Sequence, residues 1–322
     1  MEIGVLTAVF QDRSLAEALD DILGVGVRVV EIGCGNYPGN HHCNPELLLA
    51  NKWERERFQG TLASRGMRIS ALACHGNPLH PDRSIAASHH QTFHQTVLLA
   101  EELGVNRLTL FSGCPGDSET SEQPNWVTCA WPTEYLRVLD WQWEEKVIPY
   151  WVEQAAFARS HGVTRLSFEM HPGFVVYNPP SLLRLREAVG EEVGANFDPS
   201  HLFWQGIDIV AAVRKLGPAI FHVHMKDTAF NPTIVSTNGV LDTVPLGRVA
   251  ERAWIFRTVG FGHGQLLWRR FLSALREVGY DDVVSIEHED ALASPEEGIR
   301  KAVSFLQSSV LSEAPPEPWW TS

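Results

Sequence analysis

Clusters of lysine and arginine are missing from this sequence, and acidic residues outnumber basic ones. The chain of 322 residues carries a formal net charge of −13. Proteins that bind nucleic acids or anionic membranes use basic surfaces to displace counterions, so this balance argues against both partners. No apolar run approaches the roughly 18 residues that cross a bilayer, and no signal peptide is recognisable. We therefore expect a cytoplasmic protein.

Cysteine is also scarce, and a short sequence repeat is absent. The five cysteines are an odd number and include no CxxC pair. A disulfide framework or a thiolate zinc site is therefore not expected, and the thiols are predicted to be free. The absence of a repeat with a fixed short period excludes solenoids and propellers.

Short β-rich apolar runs alternate with helical patterns along the chain. The runs cover residues 3–6, 27–32, 67–72, 106–111, 163–168, 193–197, 220–223 and 283–286. Eight such units predict an α/β fold, a (β/α)8 TIM barrel, rather than a doubly wound sheet. Two irregular segments, 112–140 and 227–264, predict long insertions after strands four and seven. We expect one barrel domain, 1–311, with a Pro-rich tail, 312–322, and a single helix over 45–64.

Four consecutive strands end at residues that can bind a hard metal ion. These residues are Glu169, Asp198, His224 and Glu287. Each one alone is more often a helix N-cap, a salt-bridge partner or a hydrogen-bonded core histidine. Closure of a barrel would bring all four to one mouth, where unpaired carboxylates repel each other unless a cation lies between them. Three carboxylates and one imidazole favour Mn²⁺, Mg²⁺ or Co²⁺, and Zn²⁺ also fits.

Other polar residues are expected at the same mouth. His171 lies two positions after Glu169 and would point to the same side, as a general base or as a hydrogen-bond partner of a ligand carboxylate. His75 and Asn77 follow the third strand and are candidates for substrate contact. Arg257, one of few cations near a glycine-rich turn, is a further candidate for substrate contact, although that turn does not by itself predict a phosphate site. We therefore do not assume a phosphorylated substrate.

Tryptophan is abundant, with eleven residues, many of them in the irregular segments. The tryptophans in question are Trp126, Trp131, Trp141, Trp143, Trp204 and Trp254. Their rings would stack on a sugar or on an aromatic aglycone. The alternative, which we prefer for most of them, is that they pack the insertions or form a subunit interface.

The strand-end motifs resemble those of the sugar phosphate isomerase/epimerase family of xylose isomerase-like barrels. The resemblance covers about residues 1–306 and rests on Glu169, on Asp198-Pro199-Ser200-His201, on His222-Val223-His224-Met225-Lys226-Asp227 and on Ile286-Glu287. It implies that Glu169, Asp198, His224 and Glu287 bind the metal. It also implies that His201 binds substrate, and that His222 lines the pocket or supports a ligand.

The family resemblance implies a reaction class. Glu169 and Glu287 would flank a substrate carbon, one removing a proton α to a carbonyl and the other returning it, while the metal stabilises the enediolate. The expected activity is isomerisation or epimerisation of a sugar, keto-sugar or cyclitol. An alternative is β-elimination from the same anion, as in inosose dehydratases or in the barrel subunit of 3-keto-C-glycoside deglycosidases, which works with a small β-subunit. A non-catalytic sugar-binding barrel is a hypothesis of another class, and a homo-oligomer remains open.

Overall fold

The computed structural model describes residues 1–314, 317 and 320, and its centre is a closed barrel of eight parallel strands. The strands of the described chain are β1 (Glu2–Leu6), β2 (Val29–Gly33), β3 (Arg68–Ala73), β4 (Arg107–Leu110), β5 (Arg165–Glu169), β6 (Val193–Phe197), β7 (Ile220–Met225), β8 (Asp227–Phe230), β9 (Trp254–Arg257) and β10 (Val283–Ile286). Around the barrel the order is β1-β10-β7-β6-β5-β4-β3-β2. The predicted (β/α)8 fold is therefore confirmed.

Helices connect the barrel strands and cover their outer faces. They are α1 (Leu15–Gly24), α2 (Pro45–Ala50), α3 (Lys52–Ala63), α4 (Arg83–Leu103), α5 (Glu134–Trp141), α6 (Ile148–Ser160), α7 (Pro179–Val189), α8 (Pro199–Phe203), α9 (Ile209–Leu216), α10 (Pro232–Asn238), α11 (Gln265–Glu277) and α12 (Pro295–Gln307). Their apolar faces pack on strands that are buried along nearly their whole length, as expected for a parallel sheet covered by helices. No helix in the described part of the chain is long and apolar enough to cross a membrane.

Two predicted element boundaries were wrong for local reasons. The expected helix over 45–64 breaks at Asn51, whose extended backbone ends α2 and whose side chain accepts hydrogen bonds from the first N–H groups of α3. The irregular segment after β4 is shorter than 112–140, because α5 begins at Glu134 and continues through a π-helical segment, Gln142–Val147, into α6. The boundary between domain 1–311 and tail 312–322 remains a prediction, and residues 315–316, 318–319 and 321–322 lie outside the described residues.

The insertion after β7 forms its own small structure beside the barrel mouth. Strands β8 and β9 pair as an antiparallel two-stranded sheet, and α10 lies between them in the chain. Trp204 and Trp254 stack with ring centroids 4.9 Å apart, and Trp126 from the other insertion packs against the same cluster. These three tryptophans therefore hold the insertions together, as in the packing alternative.

Candidate metal centre

The four residues predicted to bind metal converge at the carboxyl ends of neighbouring strands. Glu169 ends β5, Asp198 caps α8 directly after β6, His224 lies in β7, and Glu287 follows β10. One potential ligand atom from each lies within 4.8 Å of those of the other three. Because β10, β7, β6 and β5 are successive neighbours in the barrel, the sequence positions translate directly into this cluster.

The donor set fits a divalent cation, and two buried atoms in and beside it have charged neighbours but no well-oriented hydrogen bond. His224 Nδ1 lies 3.3 Å from Glu169 Oε2 and 3.1 Å from Glu287 Oε2. Asp198 Oδ2 and His201 Nε2 are buried and make no hydrogen bond of good geometry. Buried polar atoms without such partners are costly unless a ligand meets them. Carboxylate oxygens with one imidazole are the donors that Mn²⁺, Mg²⁺ or Zn²⁺ accepts.

Lys226 lies inside this cluster, so the expectation of three unpaired carboxylates was wrong. Its Nζ is 2.6 Å from Glu287 Oε2, 2.8 Å from Glu289 Oε2 and 3.1 Å from Asp198 Oδ2. The side chain is 1% exposed. Burial opposes its charge, but the surrounding carboxylates outweigh burial and hold the pKa of Lys226 well above its ordinary value.

Burial and the nearby histidines and Lys226 also shift the pKa values of the three carboxylates predicted to bind metal. Burial disfavours the charge of Glu169, but hydrogen bonds from histidines lower its pKa well below the ordinary value. In Glu287 the charges of Lys226 and His224 outweigh burial, and the pKa falls. For Asp198 burial dominates, and the pKa rises. In the absence of a metal, Glu169 and Glu287 are therefore anionic near neutral pH.

Three histidines predicted near the mouth surround Glu169. His75 Nε2 lies 3.2 Å from Glu169 Oε2, and His201 Nε2 lies 3.0 Å from Oε1. The His171 ring lies against His201, with centroids 4.0 Å apart, and its Nδ1 is 2.6 Å from the carbonyl oxygen of Pro172. Desolvation of the ring lowers the pKa of His171 to about 3, so this imidazole is neutral.

A cavity of about 390 Å³ opens directly onto these residues. One wall is polar and includes Glu169, Glu287, Glu289, His75 and His171. Apolar and aromatic side chains also line the cavity, among them Leu6, Val9, Tyr37 and Phe111, with Phe174 stacked on Phe111 at a centroid distance of 4.2 Å. Within the described chain, no lysine or arginine lines this cavity.

The structure does not bring four of the predicted substrate-binding residues to the cavity wall: Asn77, Arg257, His222 and His201, the last of which is 2% exposed. The Asn77 amide accepts from Cys114 N at 2.9 Å and donates to Cys114 O at 3.0 Å, which fastens two loops together. Arg257, at the end of β9, donates from Nε to Asp290 Oδ2 at 3.0 Å. His222 is fully buried below His224. These side chains are thus engaged in contacts within the protein.

Glu31 is a buried residue near the centre that the sequence reasoning missed. It lies in the middle of the apolar strand β2 and is 0% exposed. Its Oε2 accepts from His224 Nε2 at 2.9 Å and from His222 Nε2 at 3.0 Å. A charged residue inside an otherwise apolar strand was the available signal, since such residues are buried only with partners.

The glycine-rich turn before α11 is occupied by a carboxylate of the chain itself. Asp227 Oδ2 accepts from the N–H groups of Gly260 at 3.0 Å, Gly262 at 2.9 Å and His263 at 2.9 Å. A Cβ on Gly262 would lie 2.1 Å from Thr228 O, so a side chain does not fit there. These donors are therefore not available to a phosphate group.

Comparisons with known proteins agree with this architecture. Residues 19–309 match the family model described as xylose isomerase-like TIM barrel. An uncharacterised protein of Bacillus subtilis, YfiH, is 36% identical over 312 residues, which covers 96% of this chain and 99% of that relative. An inosose isomerase of Bacillus velezensis is 30% identical over 139 residues, or 42% of this chain and 43% of that protein.

Solved structures with little sequence identity share the fold. IolI protein with a bound zinc atom has a TM-score of 0.65 at 20% identity, over 96% of this chain and 98% of that one. A D-psicose 3-epimerase solved in the presence of D-fructose has a TM-score of 0.61 at 14% identity, over 96% and 99%. The match of the family model to most of the chain shows that this protein belongs to the xylose isomerase-like TIM barrel family.

Proposed function

We propose that this chain is a divalent-metal-dependent enzyme that moves a proton α to the carbonyl of an unphosphorylated sugar, keto-sugar or cyclitol. The observation that carries the proposal is the convergence of Glu169, Asp198, His224 and Glu287 beside an open cavity. The names of an inosose isomerase relative and of a D-psicose 3-epimerase neighbour support this reaction class. Mn²⁺ is the first candidate, while Mg²⁺, Co²⁺ and Zn²⁺ suit the same donors.

The side chains around the cavity divide the work of proton transfer. A divalent cation bound there would polarise a carbonyl and stabilise negative charge on the substrate oxygen. Glu169 and Glu287 reach the cavity from β5 and from the end of β10, and we assign them the removal and return of the proton. His171 is a further candidate base, since its Nδ1–H donates to Pro172 and leaves Nε2 free to accept a proton. His75 lines the cavity and would contact substrate hydroxyl groups, while His201 is buried and contacts Glu169.

The charges at the mouth favour a neutral substrate. Lys226 is buried and paired with carboxylates, and the N–H groups of the glycine-rich turn are used by Asp227. A phosphate would therefore meet the acidic residues Glu287 and Glu289 without a free cation to balance its charge. The expected substrate carries hydroxyl and carbonyl groups but no phosphate.

A second candidate reaction is β-elimination from the same substrate anion. The observation that favours it is the apolar part of the cavity lining, which includes Leu6, Val9, Tyr37 and Phe111 and would accept an apolar leaving group such as an aglycone. In this reading the chain is the barrel subunit of a 3-keto-C-glycoside deglycosidase, with a small β-subunit as partner, or resembles an inosose dehydratase.

The test is a reaction in D₂O with added Mn²⁺, in which mass spectrometry measures the incorporation of deuterium at the carbon α to the carbonyl. Keto-sugars, inososes and 3-keto-glycosides form the substrate panel. Glu169→Gln is expected to lower the exchange rate by about 100-fold or more, because it removes a group that transfers the proton. Glu153→Gln, which changes an exposed carboxylate on α6, is the matched control and is expected to retain exchange.

The products separate the alternatives. An isomeric sugar supports isomerisation, and an unsaturated ketone with a released substituent supports elimination. Sugar binding without exchange for any member of the panel would indicate a non-catalytic barrel and would refute the proposed activity.

A further inference from the structure

Glu31 is a carboxylate enclosed within the barrel, and its position calls for a functional reason. Its side chain reaches from β2 into the barrel interior, where it contacts side chains of β4, β7 and β10. Thr109 Oγ1 donates to its Oε1 at 2.6 Å, and Ser285 Oγ donates to its Oε2 at 2.9 Å. His222 and His224 complete its hydrogen-bond partners in the described chain, and none of these partners is a lysine or arginine. A carboxylate buried in this way is costly, so a well-packed apolar side chain would serve stability equally well.

His224 is held at both edges of its ring. Nε2 faces Glu31 Oε2 at 2.9 Å, while Nδ1 faces Glu169 and Glu287 at 3.3 and 3.1 Å. An ionised carboxylate only accepts hydrogen bonds, so the Nε2 of His224 must carry the proton that this contact uses. Nδ1 faces the carboxylates of Glu169 and Glu287 at the place where the four predicted ligands meet, so a cation bound there would take the position of the proton on Nδ1 and leave Nε2 protonated.

We infer that Glu31 is a positioning residue that holds His224 in the Nε2-protonated tautomer and thereby sets the affinity of the centre for divalent metal. The inference rests on the proposed function, because it requires that His224 bind the metal through Nδ1. Glu31 acts through His224 and does not reach the ion itself. A carboxylate that accepts from the second nitrogen of a ligand histidine fixes the ring and raises its basicity.

Glu31, His222 and His224 could themselves be taken for a second group of metal ligands, because their ligand atoms also lie within 4.8 Å of one another. Their facing atoms, however, already share hydrogen bonds of 2.9 and 3.0 Å. Hydrogen bonds of this length satisfy the groups without an ion. His222 therefore serves as a second donor that orients the Glu31 carboxylate toward His224.

The test replaces Glu31 with glutamine and measures metal affinity directly. Glu31→Gln keeps the size of the side chain, but its NH₂ group can donate to His224 Nε2 and so favour the tautomer with the proton on Nδ1. The dissociation constant for Mn²⁺ or Zn²⁺, obtained by competition with a chelating indicator, is expected to rise 10- to 100-fold. Circular dichroism establishes that the variant is folded.

Ser285→Ala is the matched control, since it removes a different donor from the same Glu31 oxygen and leaves the contact with His224 in place. Its metal affinity is expected to stay close to that of the unchanged protein. Equal affinities for Glu31→Gln, Ser285→Ala and the unchanged chain would overturn the inference while leaving the proposed function intact. Failure of the unchanged protein to bind any divalent metal would refute the proposed function as well.

Nitrogen-15 NMR of the zinc-loaded, unchanged protein gives a second readout that does not depend on whether the variant folds. The His224 ring is expected to show a proton on Nε2 and zinc on Nδ1. Zinc on Nε2, or a proton on Nδ1, would overturn the inference.

Discussion

Lys226 offers the sharpest test of how charge is balanced at this centre, through the substitution Lys226→Met. The ammonium group lies 2.6–3.1 Å from carboxylate oxygens of Glu287, Glu289 and Asp198. At an effective dielectric constant of about 20, unit charges about 3 Å apart attract by roughly 5–6 kcal/mol. Desolvation of the buried ions cancels much of this attraction, and removal of one partner from a buried pair typically costs about 3–5 kcal/mol.

This cost converts into a measurable change of melting temperature. With an unfolding entropy of about 2.1 cal/mol/K per residue, the metal-free variant is expected to melt roughly 4–7 °C below the unchanged protein. Methionine retains the apolar stem of the side chain, so the loss reports on charge rather than on packing. Differential scanning calorimetry in the presence of a chelator measures it.

Metal binding is expected to respond in the opposite direction. Lys226 shares Asp198 and Glu287 with the proposed ion, so its removal leaves a more negative site, and Mn²⁺ should bind Lys226→Met more tightly. Added Mn²⁺ should therefore raise the melting temperature of the variant more than that of the unchanged protein. Lys301→Met, which removes an exposed pair with Glu297 on α12, is the control. An unchanged melting temperature without metal, or weaker Mn²⁺ binding, would refute the reasoning.

Two further predictions concern positions outside the metal centre. Gly262→Ala is expected to lower the free energy of unfolding by about 1–3 kcal/mol, because the new Cβ would meet Thr228 O, whereas Gly264→Ala, with open space around it, should be tolerated. Equal thermal stability of the two alanine variants would contradict this. Burial disfavours the charge of Asp282, but the positive charge of Arg107 outweighs burial and keeps the pKa of Asp282 below the ordinary value of 3.8. The ion pair therefore stabilises the folded protein above pH 3.8, and this stabilisation is lost as the pH falls through the lower pKa that Asp282 has in the folded state. Urea unfolding at a series of pH values from neutral to below 3.8 should therefore show that the stability difference between the unchanged protein and Asp282→Asn becomes smaller as the pH falls. A difference that stays constant would argue against a stabilising Arg107–Asp282 pair.

Much of the architecture was predictable because it depends on local pattern. Parallel strands buried on both faces are short apolar runs, and the residue that follows each run faces the barrel mouth. Glu169, Asp198, His224 and Glu287 could be recognised in this way. The break at Asn51 was missed because a capping asparagine was read as part of one continuous helix.

Other features could not be predicted from the sequence pattern. Whether Asn77 and Arg257 face the cavity depends on competing partners, Cys114 and Asp290, that approach only after the loops have packed. The glycine-rich turn has the composition of an anion site, yet Asp227 occupies its N–H groups. Neither outcome follows from residue type or spacing.

The chain's residue order was enough to specify a parallel barrel and to place at its mouth the four side chains predicted to bind metal, because strand period and strand ends are properties of neighbouring residues. The balance of charge around those side chains emerged only when the barrel closed. Glu31 and His224 are 193 positions apart, and Lys226 meets Glu287 across 61. Such pairs depend on the register and closure of strands that are distant in the chain, and no local pattern encodes which side chains then meet in the interior.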